Sequence, residues 1–398
     1  MSEYQRIAFR AIDGPVSEKN LKFMERQSTR AEITPWAFDN EYHFGDFHGD
    51  TMEMLRRGYD VLVHYANFGI RTLMLRVPHG LPDFATAKLY LDGDSLRFEK
   101  DKQGPAGILC MEPCFEPDQI EELWDIDELV GRLVGVRAEV MDGDLRPLYL
   151  ARLAIDGDGN HDPDESKEVP VPAGLKRLSP AQRALAKFFG LDQSLIAAAA
   201  EDSPALGAPA DQQAQFADWL RGQPQEIKDR WMADWMADAH TGARRELLAE
   251  FQKSSSTSSW PTAQQDRSRA ALETRAEEIH HEQSQKAAEA AARKRAKMLA
   301  DMAADPSKTL LETEELVAQR ATSAYREAVE LLDDLREALA GTARSQLAEE
   351  QAWKLKNEHP NLHMLTAELR KKGFVPKATN REQPSAAAQS RGVKKAME

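Results

Sequence analysis

The sequence predicts an α+β chain in three parts: a ferredoxin-like βαββαβ N-terminal domain with an extra hairpin, an all-α middle domain, and an extended helical C-terminal arm. Three observations lead there. Before residue 115, short runs alternate apolar and polar side chains with a period of two, interleaved with amphipathic runs. From about residue 118 the period becomes helical. After a serine-rich break, "KSSSTSSWP" (253–261), the chain turns Ala-rich and charged, with almost no large apolar residues.

Taken in order, "EYQRIAFRAI" (3–12) sets Ile7, Phe9 and Ala11 on one side and reads as a strand. "DGP" turns the chain, and Ser17 caps a helix with Leu21 and Met24 on one face. "RAEIT" and "EYHFGDF" (41–47) read as short strands around Pro35. Asp50 then opens "TMEMLRRGYDVLVHYANFG", where Met54, Leu55, Leu62 and Tyr65 recur at helical spacing. One helix is therefore expected over 51–69, closed near Asn67 or Gly69 by a left-handed residue. "RTLMLRVP" is a strand closed by Pro78. In "KLYLDGDSLRFEK" Asp92-Gly93 separates two alternating runs, a hairpin signal, and "GILCMEP" adds a strand at that edge.

"DIDELVGRLVGVRAEVMDGD" carries Leu129, Leu133 and Val136 on one helical stripe, and "LRPLYLARLAI" is a short apolar helix behind it. The first domain is placed at 1–155. Residues 156–174, rich in Asp, Gly and Pro, form an acidic boundary loop. The helical domain occupies 175–252, opening with Ser179 as cap and Pro180 in the first turn. Ile227, Trp231 and Trp235 share a face and read as packed core. A long exposed helix is expected over 262–304, broken at Pro306, then a helical hairpin over 305–375 turning near Gly341. Residues 376–398 form a basic disordered tail with Lys377, Arg381, Arg391, Lys394 and Lys395 against Glu382 and Glu398.

The totals exclude several functions. The 398 residues hold 52 Lys/Arg against 66 Asp/Glu, a net charge of −14, so the whole surface cannot coat nucleic acid or an anionic membrane. Only a local basic patch could engage phosphates. Two cysteines, Cys110 and Cys114, are too few for a disulfide framework. The N-terminus lacks a signal-peptide pattern and no run is long enough to span a bilayer, so a cytoplasmic, membrane-free setting is expected.

One candidate metal site stands out. Residues 45–49, "GDFHG", match the Gly-Asp-x-His-Gly motif of the calcineurin-like metallophosphoesterases, and "GNHD" (159–162) resembles that family's Gly-Asn-His-Asp/Glu motif. That resemblance implies Asp46 and His48 as metal ligands, Asn160 on metal or phosphate, and His161 as proton donor to the leaving group, around two metals that activate water. The bridging Gly-Asp-x-x-Asp-Arg-Gly motif and the late Gly-His-x-His motif are missing, and "FDNEYHF" is not the continuous apolar strand that family places before its first motif. The structural alternative explains the same residues. Tyr42 and Phe44 pack one strand face, Gly45 allows a bend, and Asp50 caps the next helix. This alternative is adopted, with no catalytic, cofactor-binding or metal residue assigned. "DGDGNHDPDE" has the alternating oxygens of a calcium loop, but counting from Asp156 the sixth and twelfth positions are His161 and Lys167 where an EF-hand needs Gly and Glu. Glu278 and His281 form a single Glu-x-x-His without a second copy. An RNA-recognition reading would need Tyr42 and Phe44 on an open sheet face, and its third-strand consensus is absent.

"RAEITPWAFDNEYHFGDFHGD", "YANFGIRTLMLRVP", "GDLRPLYLARL" and "LSPAQRALAKFFGLDQSLIAAAAE" together resemble an uncharacterised family of bacterial proteins over about residues 3–250. The C-terminal hairpin is similar to tails on some bacterial SWIM-type zinc-finger proteins, without the zinc finger's Cys/His set. The resemblance implies a bacterial intracellular setting and brings no catalytic residue. The expected function is a non-catalytic protein–protein interaction or scaffold subunit, contacting other proteins, or its own copies, through the helical arm. A metal-dependent phosphoesterase and an accessory nucleic-acid binder are the alternatives.

Overall fold

In the computed structural model the described residues are 3–115, 122–157, 167–206, 212–237, 247, 250–251, 260–264 and 266–376. They fall into two compact units, Met1–Glu282 and Gln283–Glu398.

The first unit is built on one seven-stranded sheet. Its strands are β1 (Gln5–Arg10), β2 (Glu32–Ile33), β3 (Ala37–Tyr42), β4 (Val61–Ala66), β5 (Arg71–Val77), β6 (Leu96–Lys100) and β7 (Gly107–Met111), in the order β2-β3-β1-β4-β5-β7-β6. Every neighbouring pair is antiparallel. The strand-helix-strand-strand-helix-strand order of the expected βαββαβ unit is present, but it closes at β4 and not at the strand expected over 71–77, which is a fifth strand, β5. Here β1 lies between β3 and β4 and is antiparallel to both.

The reason lies in residues 51–69. The helix expected there stops after one segment, α2 (Thr51–Arg57), which Asp50 caps at 2.9 Å through the Glu53 amide and Gly58 ends. The chain then enters β4, with Val61, Val63 and Tyr65 in the core on one sheet face and Leu62 in the core on the other. A six-residue apolar run buried on both faces has no polar side to mark its period, so it matches a buried helix as well as a strand. Gly69, expected as a helix cap, instead sits at φ +111 in the tight turn between β4 and β5.

Both faces of the sheet are covered. One packs Ile7, Phe9, Phe38, Leu62, Met74 and Ile108 against Met24 of α1 (Glu18–Met24) and Met54 and Leu55 of α2. The other packs Ala8, Val61, Val63, Leu73, Leu75 and Leu109 against Leu129, Leu133 and Val136 of α4 (Ile126–Met141), with a four-residue helix α3 (Phe84–Ala87) at one side. The same cluster includes Leu150 and Leu153 of α5 (Arg146–Ile155), Leu185 and Phe188 of α6 (Pro180–Phe188), and Leu195 and Ala198 of α7 (Gln193–Glu201). Helices expected from a separate middle region thus share the sheet's own core. Ser179 and Gln182 form a full capping box on α6, and Gly190 separates α6 from α7.

Two smaller features differ from expectation. Asp92-Gly93 does not join two strands. Residues 88–90 continue α3 as turns, and the Asp92 carboxylate accepts from the amides of Asp94 and Leu96. The strand containing Cys110 lies inside the sheet between β5 and β6. A second, two-stranded sheet pairs β8 (Val171–Pro172) with β9 (Thr262–Ala263). Between them in the chain lie α8 (Gln212–Gly222) and α9 (Gln225–Ala237), where Trp219 stacks on Trp231 at 5.4 Å beside Phe216.

The 36-residue helix α10 (Arg269–Ala304) buries Leu272, Ala276 and Ile279 in the first unit's core. The second unit has a separate core. It joins Val317 of α11 (Pro306–Ala318), Leu332 and Leu335 of α12 (Thr322–Ala338), Leu355 of α13 (Leu347–Glu358), and Leu365 and Leu369 of α14 (His363–Lys371). Gly341 is left-handed just beyond α12, and each arm of the expected hairpin is divided into two helices, α11 with α12 before this glycine and α13 with α14 after it. The basic tail, apart from Pro376, lies outside the described residues.

A Cβ at Gly69 would stand 2.0 Å from the Phe115 carbonyl oxygen, and the glycine's φ is positive. We expect Gly69→Ala to destabilise the first unit by about 2 kcal/mol or more, read as a lowered midpoint in urea. A wild-type midpoint would contradict this placement of the turn.

Candidate functional site

The segment 43–49 follows β3 as an irregular loop. The strand expected over 41–47 ends at Tyr42, so His43 and Phe44 are not strand residues. Phe44, expected to pack, is 78% exposed. Phe47 supplies the packing instead, with its ring 5.9 Å from Phe38 and 6.4 Å from Phe9. Gly45 bends the chain at φ +82.

This bend carries Asp46 to the end of β1. There the buried Gln5 amide donates from Nε2 to Asp46 Oδ1 at 2.9 Å and to the Gly45 carbonyl at 3.2 Å. Both partners accept, which fixes the amide's orientation and leaves Gln5 Oε1 as an acceptor. His64 Nε2 lies 3.1 Å from that oxygen and therefore carries the proton that it donates. An exposed carboxylate, a buried amide and a half-buried imidazole thus form one hydrogen-bonded line from the loop after β3, through β1, to β4. Burial lowers the His64 pKa from 6.5 to about 4, with the Asp46 charge opposing in part, so the ring is neutral at pH 7.

His48 is exposed in the same loop. Asn160 and His161 lie outside the described residues, as does the rest of "GNHD". The structure therefore places two of the four candidate residues, and it joins Asp46 to Gln5 and His64. Sequence reasoning missed both partners. The signal available for His64 was its place as the single polar residue in the otherwise apolar run 61–66. Gln5 carried no signal of its own. Among the described residues, no group of three His, Cys, Asp or Glu side chains is placed to hold a metal ion.

Other buried polar groups neutralise one another. The Arg137 guanidinium meets Asp13 at 2.5 and 3.0 Å and Asp60 at 3.2 Å, while its Nε donates to the Arg76 carbonyl at 2.7 Å. Asp60 also accepts from the amides of Ile12 and Asp13. Its pKa is still raised, because desolvation outweighs the attraction of Arg137. A small cavity is lined by Arg152, Asp156, Glu168 and Arg269. Arg152 binds Asp156 at 2.8 Å, Arg269 donates to the Leu153 carbonyl at 2.8 Å, and Glu168 accepts from Arg267 at 2.9 Å and from the Tyr149 hydroxyl. These walls are internally paired and hold no poised nucleophile. Burial and the Glu168 charge push the Tyr149 phenol well above its ordinary range.

No family model matches the chain, and comparison with curated proteins and with solved structures yields no match either.

The His64 line sets a pH dependence. The unfolded chain protonates this histidine near pH 6.5 and the folded chain near 4, so the stability it confers is complete above pH 6.5 and is lost as pH falls toward 4. Between pH 7 and pH 5 the loss from this group is about 2 kcal/mol. In His64→Gln that component disappears, so urea unfolding at the two pH values should differ by less than in the parent. An unchanged difference would contradict the assignment.

Proposed function

We propose that the chain is a non-catalytic interaction or scaffold subunit of a bacterial cytosolic complex, contacting other proteins, or further copies of itself, through its C-terminal helical arm. One observation carries the reading. Residues 281–298 of α10 are exposed throughout, and 281–297 contain no large apolar side chain. A helix with no core of its own there spends no residues on packing, and its stability rests on Ala-rich composition and on pairs such as Arg293–Glu289. The second unit also leaves Leu311, Trp353 and Met364 at 58%, 41% and 48% exposure, single apolar anchors of the kind that interfaces bury. No helix among the described residues is long and apolar enough to cross a membrane.

The reading is tested by co-purification of the tagged full chain and by light scattering of the purified protein. We expect a stoichiometric partner or a concentration-dependent oligomer, reduced in Leu311→Ser/Trp353→Ser. A protein that stays monomeric and returns no partner would sink the proposal. Turnover of a generic phosphodiester with manganese, lost in Asp46→Ala, would replace it with the phosphoesterase reading.

A further inference from the structure

The most concentrated cationic stretch of the described residues is "RKRAK" at 293–297, on α10. At 100° per residue, Arg295 shares a helical face with Leu299 and Met302. That face is committed within the second unit: Arg295 pairs with Asp334 at 2.9 Å and Glu337 at 2.6 Å on α12, and Met302 packs on the second unit's core. Arg293 and Lys297 each fall about 160° from Arg295, on opposite sides, and Lys286 falls on the far side between them. The far face of the helix therefore carries Lys286, Arg293 and Lys297 beside Glu282 and Glu289, with Lys294 on its flank.

These cations are exposed. Arg293 meets Glu289 only at 3.8 Å, with the two side chains 84% and 69% exposed, an ion pair worth little in water. Among the described residues, no carboxylate lies within 4.0 Å of Lys294 or Lys297. The charge of the chain is segregated: residues 1–282 hold 32 Lys/Arg against 49 Asp/Glu, and residues 283–398 hold 20 against 17. A polyanion would be repelled by the first unit, whereas residues 283–376 balance at 15 of each sign and the surplus lies in 377–398, so a contact to the described helix rests on the local cluster at 293–297.

We infer that the face bearing Arg293, Lys294 and Lys297 contacts the phosphate backbone of a nucleic acid without reading its sequence. Arg293 and Lys297 are about 6 Å apart along the helix axis, close to the rise of two phosphate steps on one strand. An arginine beside lysines supplies a forked donor and point charges for phosphate oxygens. A membrane surface fits less well, because a helix lying on lipid needs an apolar face and 281–297 has none.

The test uses the full-length protein and a fluorescein-labelled DNA duplex of about 20 base pairs, read by anisotropy. Three phosphate contacts would weaken binding roughly 40-fold between about 50 and about 200 mM salt. The triple variant Arg293→Ala/Lys294→Ala/Lys297→Ala should lose at least about tenfold in affinity at low salt, with a salt slope shallower by roughly 2–3. Alanine favours helix, so circular dichroism should match the parent. Removing 377–398 separates the tail's contribution, and that variant should retain the salt-dependent binding the triple variant loses. The inference is overturned if the duplex does not bind at low salt, or if the triple variant binds like the parent. It is also overturned if tail removal alone abolishes binding, or if anionic phospholipid vesicles capture the protein and the duplex does not.

Discussion

Burial of both faces of a single antiparallel sheet is the constraint on which the first unit depends. β1 and β4 lie at its middle, and their side chains enter two different cores: Ala8, Val61, Val63 and Tyr65 on one side, Ile7, Phe9 and Leu62 on the other. A fully buried side chain of this size contributes about 1.5–3 kcal/mol, and the pleat sends successive residues to opposite faces. A slip of one residue would therefore misplace both cores at once. Helices have to cover each side, which is why α1 and α2 lie on one and α4 to α7 on the other. The chain reaches across sequence to do this, and α6 and α7 pack on a sheet whose last strand ends at Met111.

Where polar groups enter this interior, they come with partners. Arg137 from α4 reaches Asp13 and Asp60 near the ends of β1 and β4, tying a helix of one layer to the ends of the sheet's middle strands by charge-assisted bonds. Gln5 does the equivalent at the other end of β1 between Asp46 and His64. Such groups are costly to strand alone and nearly balanced when paired, so they specify geometry more than they add stability. The pairing also leaves them chemically quiet. Burial holds His64 neutral, and the Cys110 thiol is pushed up to about 12 by the same effect. Neither is poised for acid–base or nucleophilic work at neutral pH.

The C-terminal unit follows different rules. Its core comes from a short helical bundle, and the stretch of α10 over 281–298 has neither core contact nor apolar stripe. Its helicity stems from composition. That freedom from packing leaves its outer face unconstrained by any core, and the chain divides into an acidic, doubly covered α+β unit and a helical unit of near-balanced charge.

Helices whose polar and apolar residues differ sharply in position were legible from residues alone: α4 with Leu129, Leu133 and Val136, the Ser179 capping box of α6, the cap at Asp50, and the exposed run of α10. So was the presence of strands at 5–10 and 71–77. Local periodicity and capping determine these, and both are carried by neighbouring residues. Tertiary structure alone decided the rest. β4 is a strand because sheet neighbours and two cores receive an apolar run that a helix would also accept. The strand order, the shared core of α6 and α7, and the meeting of Asp46 with Gln5 and His64 depend on pairings between segments far apart in the sequence. No local pattern encodes such pairings, because their free energy appears only when distant segments close on one another.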